Sequence, residues 1–250
     1  MTHQNNRDLE DKVALITGAA GDIGRCTVEL LRERGCRIIA ADVKASIELL
    51  AERGRIECIS GDVRRQETAE RAVSAALTHF GRLDILINNA GRHLQRPILE
   101  TEIAQWDEIL ETNARGTFLH CREALKVMTQ RGSGSIVNVA SISGVIGIAG
   151  QVAYAASKGA IIQITKTLAV ELAAGGIRVN AVAPGAVVTG FLEGAVPDSR
   201  ALLESFGAHH PIGRSAKPEE IADVIVFLAS PRSSFMTGAI VMVDGGYTAA

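Results

Sequence analysis

Tyr154 and Lys158, four residues apart, are the pair in this chain best suited to moving a proton. The intervening Ala155-Ala156-Ser157 and the following Gly159-Ala160 predict a helix, in which residues i and i+4 share a face and an ammonium can lie beside a phenol. A phenol titrates at about 10, and a neighbouring cation favours its charged form, so the pair is expected to act as a general acid/base. Ser141 lies thirteen residues upstream of Tyr154. The spacing alone is a modest motif; the rest of the chain decides its meaning.

The elements that must position these groups alternate regularly. Val13 to Thr17, Arg37 to Ala41, Ile56 to Ser60, Leu83 to Ile87, Ser135 to Ala140, Ile177 to Val182 and Ile240 to Asp244 read as short β-branched strands. Helical periodicity runs through 23–34, 66–80, 103–131, 152–174 and 218–229, with a shorter helix near 46–53. Such alternation predicts an α/β fold: a doubly wound, parallel, seven-stranded Rossmann-type sheet with helices on both faces. No linker, repeat or composition break divides the chain, so residues 1–250 are expected to form one domain, with 1–11 a polar N-terminal extension and 186–212 an irregular substrate loop or lid.

A glycine turn follows the first strand: Gly18, Gly21 and Gly24, with Asp22 and Ile23 between them, opening a helix. Glycines let backbone approach a pyrophosphate, and the helix N-terminus favours its charge. A plain strand-helix turn would need the same residues, so the context matters. Asp42, at the end of the second strand, can accept from both hydroxyls of an adenosine ribose and would repel a 2′-phosphate, which favours NAD over NADP although Lys44 and Arg25 are nearby. Asp62, with Val63 beside it, either meets the adenine or caps the next helix. Asp22 is expected to cap its own helix through its carboxylate, leaving the Ile23 amide for phosphate.

Composition narrows the partners. The net charge of −2, without a basic block, predicts no affinity for nucleic acid or anionic membrane, and no apolar run is long enough to cross a bilayer. The four cysteines lack metal-site or disulfide spacing and read as reduced, so no metal is expected and a cytoplasmic location is. Aromatics make up only 4% of the chain, which suits helices packed closely on a parallel sheet.

Taken together, Thr17-Gly18 through Gly24, Asn88-Asn-Ala-Gly91, Asn113, Ser141, Tyr154-x-x-x-Lys158 and Pro184-Gly185 resemble the short-chain dehydrogenase/reductase family, from about Lys12 to the Asp244-Gly-Gly246 stretch. The resemblance implies an oxidoreductase moving hydride between NAD(H) and a secondary alcohol or ketone. Tyr154 would be the general acid/base, Lys158 would bind the nicotinamide ribose and lower the Tyr154 pKa, Ser141 would bond the substrate oxygen, and Asn113 would hold a water in a proton relay. Asn89, Ala90 and Gly91 would lie against the cofactor; Pro184, Gly185, Val187 and Thr189 would form the nicotinamide side. Taken singly, Ser141 can merely cap, Asn113 can bond its own backbone and Lys158 can be solvated. One departure stands out: Asp22 occupies a place where the family usually has glycine.

The resemblance also implies a substrate wall of Ser143, Val145, Ile146, Gln151, Phe191 and Leu192, with Arg92 and His93 at the rim, suited to an unphosphorylated alcohol or ketone of medium size. The His209-His210 pair reads as solvated loop. A 3-oxoacyl thioester reductase and a sugar or polyol dehydrogenase remain open alternatives, as does a cofactor-binding regulator without turnover. A methyltransferase would explain the glycines but give Tyr154 and Lys158 no task. A homotetramer built on the helices near 103–131 and 152–174 is implied by family likeness alone.

Overall fold

The computed structural model describes residues 7–193 and 198–250. Residues 1–6 of the expected extension and 194–197 of the expected loop lie outside the described residues. Strand β1 (Val13–Thr17) is buried at every position, which a strand tolerates only when both faces of its sheet are covered. With β2 (Arg37–Asp42), β3 (Ile56–Ser60), β4 (Ile85–Asn88), β5 (Gly134–Val139), β6 (Ile177–Pro184) and β7 (Ile240–Val243), it forms a parallel seven-stranded sheet of order β3-β2-β1-β4-β5-β6-β7.

Helices cover both faces, as the alternation implies. They are α1 (Asp22–Glu33), α2 (Gln66–Phe80), α3 (Ile103–Leu110), α4 (Gly116–Arg131), α5 (Val152–Leu172), α6 (Ser199–Ser205) and α7 (Pro218–Ala229). Alternation along β1 divides the core: Ala14 and Ile16 join Val28, Leu31, Ile221 and Ile225 of α1 and α7 on one face. Val13 and Leu15 join Val73, Ala124, Met128 and Ala169 of α2, α4 and α5 on the other. The buried stripe of α5 runs Ala153, Tyr154, Ser157, Lys158, Ile161, Ile162, Thr165 and Ala169, so the phenol and the ammonium both lie on the face that packs inward.

Several boundaries differ from the sequence reading, most by one or two residues, and four differences bear on the fold. The segment 103–131 is two helices, α3 and α4, joined by a single π-helical turn at Glu111–Arg115, a distortion that recurs at functional sites. The expected helix near 46–53 is a 3-10 turn, Ala45–Leu50. Strand β4 starts at Ile85, because Asp84 turns its carboxylate onto the Val13 amide at 3.0 Å where the ladder would begin. Loop 186–212 is not irregular throughout: it contains α6, and Val187 pairs in parallel with Ala216. Within the supposed polar extension, Leu9 is buried in the α1-side core.

Candidate active site

The strand order reverses between β1 and β4, and open α/β sheets bind ligands at that point, outside the carboxyl ends of the strands. Here the two strands are stitched together. The Thr17 hydroxyl accepts from the Asn89 and Ala90 amides, each at 3.1 Å, while the Asn89 side chain donates to the carbonyls of Thr17 (3.1 Å) and Gly18 (2.9 Å). Asn88 continues the brace through Asn138 (2.8 Å), which donates to Thr165 (2.9 Å). Gly18 has φ +65°, and a Cβ there would meet the Ala90 backbone at 2.7 Å; a Cβ on Gly24 would lie 2.2 Å from the Gly18 carbonyl. The turn therefore requires glycine at both places. The first amides of α1, at Asp22, Ile23 and Gly24, have no intrahelical acceptor, so the turn and the helix start offer a fitting cradle for a pyrophosphate.

Asp42 lies beside this cradle. One of its oxygens accepts from the Ala20 amide and the other from Lys44, both at 2.9 Å, so the buried carboxylate is held in place with lone pairs to spare. Arg25 is turned to the Ala20 carbonyl at 3.0 Å. Asp22 does not cap α1. Gly21 is the N-cap and has no side-chain bond, while the Asp22 carboxylate points across to the Gly190 amide at 2.6 Å. The capping expectation is wrong because a donor from the loop after β6, the Gly190 amide, takes the carboxylate in place of the local amides. Asp62 does not cap either: its carboxylate is taken by the Arg64 backbone and guanidinium, with Arg64 Nη2 at 2.6 Å, and the bond from that guanidinium holds its pKa below the carboxylate range. The α2 N-cap is Arg65. Val63 is buried and lies 3.0 Å from where a Cβ on Gly116 would stand.

Tyr154, Ser141 and Lys158 converge at the carboxyl edge of β5. Burial pushes the Tyr154 phenol up to about 12, and its hydrogen bond with Ser141 pulls the other way. Burial therefore outweighs any lowering of the phenol by the adjacent lysine in the free protein. The ammonium lies over the ring face, 5.6 Å from its centroid, and donates to the Val139 carbonyl at 2.8 Å, so desolvation wins in the free protein. The same burial brings Lys158 down to about 8. Ser141 also caps the short turn after β5 by accepting from the Ser143 amide at 3.2 Å, so capping and chemistry share one hydroxyl.

Asn113, fully buried on the π turn, bonds neither its own turn nor an open cavity through its amide nitrogen. It donates to the Arg92 carbonyl and to Ser157 Oγ, both at 2.9 Å, and accepts from the Arg92 amide at 2.8 Å. Ser157 in turn donates to the Tyr154 carbonyl at 2.7 Å. Asn113 thus ties the loop after β4 to the helix that carries Tyr154. Ser157 was not singled out from sequence; the signal was a polar residue on the buried stripe of α5.

The remaining wall comes from three loops. The Ser143 hydroxyl donates to Gln151 at 2.8 Å, both residues buried. His93 stands edge-on to Tyr154 with centroids 4.7 Å apart and to Phe191 at 6.4 Å. Burial, aided by the Lys158 charge, holds His93 down at about 4, so its ring is neutral at physiological pH. Gly185, after Pro184, lies so close to His210 that a Cβ would meet its Nε2 at 2.6 Å. His210 is not solvated loop: it is buried, with Nδ1 at the Phe206 carbonyl (2.9 Å) and Nε2 accepting from Ala186 (3.1 Å). Val187 and Thr189 are buried on the same strand-to-loop passage, and Thr189 accepts from the Phe191 amide at 3.3 Å.

Sheet order, glycine cradle and the Ser/Tyr/Lys cluster define a dinucleotide-dependent oxidoreductase, and comparison with known proteins agrees. A family model described as enoyl-(acyl carrier protein) reductase matches residues 18–248. The chain is 42% identical over 245 residues to a cis-4-hydroxycyclohexanecarboxylate dehydrogenase of Sinomonas cyclohexanicum, covering 96% of this chain and 97% of that one. It is 39% identical over 244 residues to a 3-oxoacyl-[acyl-carrier-protein] reductase of Thermotoga maritima, covering 95% and 98%. A crystal structure of levodione reductase superposes with a TM-score of 0.89 at 35% identity, covering 96% and 99%. The chain belongs to the short-chain dehydrogenase/reductase family and is a dehydrogenase/reductase that uses a nicotinamide cofactor.

Proposed function

We propose that this protein is an NAD(H)-dependent dehydrogenase of a ring-bearing secondary alcohol, with Tyr154 as the group that exchanges the proton. The observation that carries the reading is the buried phenol bonded to Ser141 beneath a lysine that makes one hydrogen bond among the described residues. A bound nicotinamide would accept or supply the hydride. Tyr154, neutral in the free protein, gives its proton to a carbonyl oxygen as charge develops there and takes one back from the alcohol in the reverse direction. Ser141 stabilises the same oxygen, and Lys158 has N–H groups left for the ribose and a charge that favours the phenolate. Asn113 holds the Arg92 loop and α5 in register. Gly18, Gly21, Ile23 and Gly24 cradle the pyrophosphate; Asn89, Ala90, Gly91, Pro184, Gly185, Val187 and Thr189 border the nicotinamide half, with Asp62 and Val63 at the adenine end.

The preference for NAD rests on Asp42, whose buried carboxylate, held by the Ala20 amide beside the glycine turn, would repel a 2′-phosphate. The ring-bearing substrate rests on the neutral His93 edge facing Tyr154 and Phe191, with the Ser143–Gln151 pair supplying a few polar contacts, and on likeness to a hydroxycyclohexanecarboxylate dehydrogenase. The family likeness supports a homotetramer, and the four free cysteines support a cytoplasmic location. NAD-linked oxidation across alicyclic alcohols, polyols and 3-hydroxyacyl thioesters tests the reading, with higher kcat/KM for the alicyclic group and for NADH over NADPH as the expected result. Preference for the thioester would make it an acyl reductase, the reading that the Thermotoga maritima relative favours. Binding of NADH without turnover of any panel member would make it a regulator.

A further inference from the structure

Asp22 is the residue that the family pattern does not explain, and it is bonded away from its own helix. Its Oδ2 accepts from the Gly190 amide at 2.6 Å and lies 3.7 Å from Arg200 Nη2 on α6. Arg200 also donates to Glu193 at 3.0 Å. Gly190 stands between Thr189, on the nicotinamide side, and Phe191, whose ring faces His93. One carboxylate at the first position of α1 therefore holds the backbone that presents the substrate wall.

That placement has a second consequence. A carboxylate in the first turn of α1 puts negative charge beside the amides that would receive a pyrophosphate, and like charges repel. Building on the function proposed above, we infer that Asp22 is a positioning residue that couples the two ligand sites with opposite sign: it tethers the substrate loop through Gly190 and weakens cofactor binding. Glycine at this position would relieve the repulsion and release the loop. Asparagine would remove the charge and the pairing with Arg200 while keeping an oxygen for the Gly190 amide.

Two measurements separate these effects from a general loss of structure. In the cofactor-free protein, amide hydrogen exchange in a peptide covering 187–193 should speed up in Asp22→Gly by about tenfold and less in Asp22→Asn. NADH titration followed by cofactor fluorescence should give a Kd about two- to fivefold lower in both variants, while the KM for the alcohol rises about tenfold in Asp22→Gly with kcat little changed. Unchanged exchange at 187–193 would overturn the tether, and a Kd that rises or stays level would overturn the coupling. If the native protein binds no NADH, the NAD reading proposed above and the coupling to that cofactor fail together, and the exchange result still decides whether Asp22 holds the loop.

Discussion

Lys158 and Arg178 are two cations drawn into opposite edges of one sheet, and burial holds both below their ordinary pKa. Arg178, at the start of β6, is bonded on every side: to the carbonyls of Leu228 (3.1 Å), Met236 (3.4 Å) and Ser230 (3.0 Å), and to the hydroxyls of Ser233 (2.9 Å) and Ser135 (3.1 Å). Lys158, beside the end of β5, makes one such bond among the described residues, to Val139. A guanidinium whose two terminal nitrogens are both bonded fastens the ends of β5, β6 and α7. An ammonium left with free N–H groups in a buried place destabilises the empty protein, and such a group is retained where a ligand supplies the missing partners.

The largest effect should come from the group that Lys158 serves. Tyr154→Phe removes the proton donor while keeping the ring under His93, so turnover should fall by ~10²–10⁴-fold with NADH affinity unchanged. Steady-state rates beside a cofactor titration check this, and retained turnover would end the proposed mechanism. Lys158→Met should lower turnover by ~10²-fold and yet raise the unfolding free energy of the free protein by up to about 3 kcal/mol, since it removes the burden of a buried charge. Denaturant unfolding of the two proteins decides it: loss of stability in the variant would place Lys158 with Arg178 as a structural cation.

Arg178→Met should do the reverse. Stranding several acceptors at the amino-terminal edge should cost about 2–3 kcal/mol and lower the Tm by ~5–10 °C, with kcat per folded molecule and cofactor Kd unaltered. A fall in kcat comparable to that of the lysine variant would erase the distinction between the two edges.

The sequence made one of these cations legible and hid the other. Tyr154-x-x-x-Lys158 announces itself by helical spacing, and the strand-helix alternation places every strand to within two residues, because local periodicity carries that information. The parallel sheet follows from the same pattern. Arg178 sits in a strand with nothing in its neighbours to mark it, since its partners come from β5, α7 and the segment after it, all distant in sequence. The same limit explains Asp22: its local context fits an N-cap, but its partner is Gly190, on the far side of the fold. The π turn under Asn113 adds one residue to a helix whose apolar period barely changes, and the burial that raises the Tyr154 pKa depends on loops brought together only by the assembled sheet.

The smallest expected effect is also the one that separates the cations without assaying chemistry. In the folded protein Lys158 titrates at about 8, against about 10.5 for an unfolded lysine. Between those values the unfolded chain holds the proton that the folded chain has released, so this group makes stability rise with pH across the window. Tyr154, pushed up to about 12, acts oppositely above about 10, but it is present in both native protein and Lys158→Met and cancels in their difference. The advantage of Lys158→Met should therefore be full below pH 8 and shrink by about 1–2 kcal/mol by pH 9.5. The deficit of Arg178→Met should stay level over the same range, because a guanidinium keeps its proton there. Unfolding free energies measured at several pH values compare the two slopes, and parallel lines would mean that the lysine is as fully bonded as the arginine.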